Sequence, residues 1–172
     1  MNRRLLLACA CMLAVARPAA AGDSDGGSGW IGKIVPPYPD GIVETSGNCI
    51  GDAAADPAAI CDHAIAVLDD PQSGLRTILA LAQVPHFGKQ PLWRIADALE
   101  PDELVDRGIE VATASCQREA RDDAAVVALV RPTDREWLAP LRAWRFDAAA
   151  GKLLPLAVAG VRCHNEGFGY DG

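Results

Sequence analysis

The sequence predicts an α+β fold: an antiparallel β-sheet of hairpins with one or two short helices, held by disulfides. Three features predict it. Runs rich in Val, Ile and Ala are separated by polar turns, two helix-start signals interrupt them, and an even number of cysteines remains once an N-terminal leader is set aside.

The leader comes first along the chain. Arg3 and Arg4 supply a positive start, Leu5 to Ala16 an apolar stretch, and Ala19-Ala20-Ala21 a small-residue cleavage site. This is the order of a secretory signal peptide, expected at residues 1–21. The apolar run is shorter than the roughly 20 residues a membrane span needs, and it ends at Arg17-Pro18. Cys9 in Leu6-Leu7-Ala8-Cys9 has too little apolar sequence before it for a lipoprotein signal. Residues 22–29, all Gly, Ser and Asp, read as a flexible leader. A single α+β domain is expected over residues 30–172.

From Trp30 to Asp40 the prolines forbid a helix and predict an extended arm or edge strand. Asp56-Pro57 forms a helix-start pair, and Ile60, Ala64, Val67 and Leu68 follow at helical spacing, so Asp56–Asp70 is predicted helical. The competing reading makes Ala64–Leu68 a strand that turns through Asp69–Gly74 into Leu75–Val84. Pro91–Leu99 is a short apolar run, and Pro101–Arg107 reads as one helical turn stopped by Gly108. Ile109–Cys116 and Ala125–Val130 flank the polar turn Gln117–Asp123 and predict a hairpin. Thr133-Asp134-Arg135-Glu136 is a capping box after Pro132 and predicts a short helix. Arg142–Asp147 alternates so that Trp144 and Phe146 share a face, and Ala148–Lys152 turns it into Leu153–Cys163, a second hairpin.

Cys49, Cys61, Cys116 and Cys163 remain after the signal peptide. In an exported chain they predict disulfides, and the spacing favours Cys49 with Cys61 and Cys116 with Cys163. No Cys-x-x-Cys occurs, so neither a thioredoxin-type pair nor a zinc knuckle is indicated.

Charge narrows the partners. Taking Arg3, Arg4 and Arg17 from the 16 basic residues leaves 13 against 23 acidic ones, a net charge of −10. Such a surface repels phosphate backbones and anionic lipid, so nucleic acid and membrane are poor partners and a basic envelope protein is the expected one.

Candidate chemistry is sparse. Gly22-Asp23-Ser24 has the residue types of a hydrolase nucleophile block but lies in the flexible leader, away from any base. His63, His86 and His164 include no pair at the i, i+4 spacing of a helical metal site. If the two hairpins meet, His164, Glu166 and Asp122 form an acid/base group. The C-terminal Val161–Tyr170 holds a cysteine, two aromatics and two glycines, and its Asn165, Glu166, Phe168 and Tyr170 form the candidate binding surface. The four tryptophans read as core. These features favour an exported, non-enzymatic binding or inhibitory module with no cofactor over an envelope hydrolase that uses His164, Glu166 and Asp122.

Overall fold

The computed structural model describes residues 27–51, 61–85 and 90–169. Strands follow one another as β1 (Ile34–Val35), β2 (Val43–Ile50), β3 (His63–Asp69), β4 (Arg76–Val84), β5 (Leu92–Leu99), β6 (Glu110–Thr113) and β7 (Cys116–Arg118). The series continues with β8 (Arg121–Asp122), β9 (Val126–Val130), β10 (Trp137–Leu138), β11 (Pro140–Asp147), β12 (Lys152–Leu156) and β13 (Val161–His164). Among the described residues all strand pairs are antiparallel. Sheet A has the order β1-β5-β4-β3-β2, sheet B β12-β11-β9-β6, and sheet C β10-β13-β7-β8.

The sheets stack with B in the middle. Ile65, Ile78 and Ala80 of sheet A meet Val127, Leu129, Trp144 and Phe146 of sheet B in one core. Val126, Ala128 and Ala143, on the other face of sheet B, meet Cys116, Val161 and Cys163 of sheet C in a second. Strand β9 is therefore buried on both faces, which explains its unbroken Val-Val-Ala-Leu-Val run. A third cluster lies on the outer face of sheet A, where Ala66, Leu68, Leu79 and Ile95 are covered by Val35 and by half-buried Trp30, Tyr38 and Ile42 of the N-terminal arm. Asp97 ties sheets A and B together: its carboxylate accepts hydrogen bonds from Lys152 Nζ at 2.9 Å and from the Leu153 amide at 2.9 Å.

The α+β expectation is overturned. Among the described residues the only helical pieces are 3₁₀ turns at Gly27–Gly29 and Asp102–Val105, and the fold is nearly all β. Of the helix predicted over Asp56–Asp70, residues 56–60 lie outside the described residues and Ala64–Leu68 belong to β3. Sheet B packs on one face of β3 and the outer apolar cluster on the other, so all five of these residues are buried and none shows the alternation that marks a strand. The capping box at Thr133 starts no helix. Thr133 Oγ1 accepts from the Arg135 amide at 3.2 Å, a local turn, and Trp137-Leu138 then pair with His164-Cys163.

Other expectations are refined. The arm does form an edge strand, β1 against β5. The turn expected at Gln117–Asp123 is itself the hairpin β7–β8, while β6 pairs directly with β9. Glu119 and Ala120 sit at its tip with φ of 51° and 61°, the left-handed pair of a two-residue hairpin loop more often filled by Asn-Gly. The β11–β12 hairpin forms, with Trp144 and Phe146 in the A/B core, but Val161–His164 leaves it for sheet C. Gly27, within the expected leader, is buried so closely on Ala98 that a Cβ there would fall 2.6 Å from the Ala98 carbonyl oxygen.

Candidate functional site

An apolar depression on sheet A is set by what the arm leaves uncovered. On the outer face of sheet A, small residues come into register: Cys49 lies beside Ala64 and Ala64 beside Leu81, with Gly47 beside Ala66 in the next row. They floor a groove of about 580 Å³, rimmed by Pro36, Tyr38, Glu44, Pro91 and Trp93. Its size falls within the range of ligand sites. Gly47 is required on packing grounds, because a Cβ there would sit 2.8 Å from the Ile65 carbonyl oxygen.

The rim carries one organised polar pair. Tyr38 Oη donates to Glu44 Oε2 at 2.9 Å. Burial first, and then the hydrogen bond to the Glu44 carboxylate and its charge, push the Tyr38 phenol above its ordinary range, so it stays a neutral donor. Trp93 lies half-buried on the same outer face, packed against the cluster around Ile95.

A second, smaller cleft of about 120 Å³ lies where the three sheets meet. Ser46 comes from sheet A, Glu110 and Thr113 from sheet B, and His164, Asn165 and Glu166 from the C-terminal strand and the turn after it. It gathers three residues singled out in the sequence, but their roles differ. Asn165 is buried and committed to structure: Nδ2 donates to the carbonyls of Thr133 at 2.8 Å and Arg135 at 3.0 Å, and Oδ1 accepts from the Gly167 amide at 3.2 Å. His164 packs edge-on to Trp137 with ring centroids 5.4 Å apart. Glu166 is exposed.

The structure does not bring Asp122 to this pair. Asp122 is on β8, two strands from β13 and so roughly 10 Å away by ordinary strand spacing. It accepts from Gln117 Nε2 at 2.9 Å, Gln117 Oε1 accepts from Arg162 at 2.8 and 3.0 Å, and Arg162 stacks 4.1 Å from the Trp137 ring. The chain of contacts runs across the outer face of sheet C as a polar ladder. Phe168 is 47% exposed, and Tyr170 and His86 lie outside the described residues. Among the described residues no group of three His, Cys, Asp or Glu side chains is placed to hold a metal ion, and no helix is long and apolar enough to cross a membrane.

Both disulfides form in the arrangement that spacing favours. Cys116 and Cys163 are directly opposed on β7 and β13, with Cα atoms 3.9 Å apart, and Cys49, at the end of the groove floor, joins Cys61 with Cα atoms 4.9 Å apart. No family model matches the chain, and neither does any curated protein or solved structure.

Sequence reasoning missed the groove. Tyr38 falls in the extended arm Trp30–Asp40 and Glu44 in no assigned element, Trp93 reads as core, and Gly47, Ala64 and Ala66 carry no chemistry of their own. Small residues at alternate positions of two runs are the one available signal, and their meaning depends on which strands pair.

Proposed function

We propose that the chain is an exported, non-enzymatic binding module whose ligand surface is the groove on the outer face of sheet A. The observation that carries this reading is the pairing of an apolar trough with a rim of Tyr38, Trp93 and prolines. Aromatic rings give large contact area at low entropic cost, and Glu44 with the Tyr38 hydroxyl supplies polar orientation. Export is supported by the two disulfides, which persist in oxidising compartments, and by the leader at residues 1–21. The acidic surface favours a cationic partner such as a basic envelope protein.

Selection from a random peptide display library on the oxidised protein tests the reading. Clones retained on wild type are expected to be lost on Trp93→Ala and on Ala66→Leu, which fills the trough. Clones that bind all three proteins equally, or an absence of enrichment, would sink it.

A further inference from the structure

We infer that the groove takes an extended, proline-containing peptide segment bearing a Lys or Arg that pairs with Glu44. This rests on the binding-module reading above and adds the class of ligand. Four observations converge on it.

The first concerns the backbone of the ligand. A peptide that adds to a sheet as a strand needs a free, flat edge, and the near edge here is β2. That strand is bulged at Thr45, between Glu44 and Ser46, and its Asn48 reaches across to the Ala124 carbonyl at 2.9 Å. Bulges and a turned edge blunt strand addition. The open surface is the face of the sheet, so the segment that fits is one whose backbone needs no ladder partner. A polyproline-type helix keeps its backbone solvated and meets that condition.

The second is the shape and chemistry of the rim. Tyr38 and Trp93 border a trough only as deep as Gly47, Ala64 and Ala66 allow. Aromatic-lined grooves are the recurrent receptor for such segments, whose bound form is largely set before binding.

The third is charge. Glu44 is exposed at the rim, and one of its oxygens, Oε2, is engaged by Tyr38. Its carboxylate retains capacity for an ammonium or guanidinium group. The fourth is the sign of the whole molecule. The net charge of −7, or −10 without residues 1–21, draws cationic segments toward it and repels acidic ones.

The test uses the full oxidised protein and an array of synthetic dodecapeptides of Pro and Ala, with one Arg placed at each position in turn. Two matched arrays replace the Arg by Glu or every Pro by Gly. Binding is read by fluorescence polarisation at low and moderate salt. At least one Arg register is expected to bind saturably, with about tenfold weaker binding after Arg-to-Glu or Pro-to-Gly replacement and weaker binding at moderate salt. Glu44→Gln, which keeps an acceptor for Tyr38, is expected to abolish the preference for Arg over Glu. Trp93→Ala is expected to weaken every register. Equal binding of the Arg and Glu arrays, or of the Pro and Gly arrays, overturns the proposal. If no array member binds while the display library still selects groove-dependent clones, the ligand class assigned here is wrong and the binding reading stands. If the library also fails, both fall.

Discussion

The two disulfides lie in opposite kinds of environment. Cys116 and Cys163 are fully buried between sheets B and C, against Val126 and Val161. Cys49 is exposed where it lines the groove and its partner Cys61 is half-buried. The sequence separations, 47 and 12 residues, differ fourfold, yet loop-closure entropy grows only logarithmically and gives about 4 and about 3 kcal/mol. Loop length therefore separates the bridges little. What distinguishes them is that one is also a piece of core and the other is not.

The largest expected effect follows from that difference. The double variant Cys116→Ala, Cys163→Ala loses the long cross-link and leaves space among buried Val126, Ala128 and Val161, so its urea unfolding free energy should fall by about 5 kcal/mol, a large part of a typical domain's stability. Cys49→Ala with Cys61→Ala should cost about 3 kcal/mol or less. A reversed order would mean that the rim of sheet A contributes more to stability than its exposure implies.

A kinetic version sharpens the contrast. Thiol–disulfide exchange requires access to a sulfur, so a mild reductant under native conditions should open Cys49–Cys61 first. Alkylation and peptide mapping are expected to label Cys49 and Cys61 well before Cys116 and Cys163, whose labelling should follow global unfolding. Labelling of all four at one rate would show that the C-terminal sheet opens as easily as the rim.

The same division governs what the sequence makes legible. The β11–β12 hairpin is visible because its alternation and its turn are both local, and the cysteine partners are visible because spacing limits the choices. The helix expected near Asp56 fails for a physical reason: β3 is covered on one face by sheet B and on the other by the arm, so His63–Asp69 carries a continuous apolar run that fits either element. The capping box at Thr133 fails because the pairing of Trp137 with His164 is long-range and overrides a local signal. The groove is less legible still. It exists because the arm covers Leu68, Leu79 and Ile95 and stops short of Ala64, a relation between segments that no single window of sequence contains. His164, Glu166 and Asp122 show the converse, since each is a plausible catalytic residue type and the register of sheet C keeps Asp122 apart.

The smallest expected effect tests whether the rim bridge and the groove are one unit. Tyr38 is held above its ordinary value near 10 by burial and by the Glu44 carboxylate. A phenol raised in the folded state contributes stability that is fully present below the unfolded value. As the pH rises past about 10 the unfolded chain ionises first, and the contribution is lost through the folded-state titration. The sequence has two tyrosines, so Tyr170→Phe leaves the absorbance of Tyr38 alone to follow in alkaline solution. That transition should lie above the ordinary tyrosine value and move down in Glu44→Gln. Cys49 shares strand β2 with Glu44, so removing the rim bridge should loosen the strand and lower the transition as well, while removing Cys116–Cys163 should leave it in place in protein that remains folded. Equal shifts from both bridges would mean that sheet A senses the far core, and that the separation between a rigid C-terminal layer and a yielding groove is not how this molecule is built.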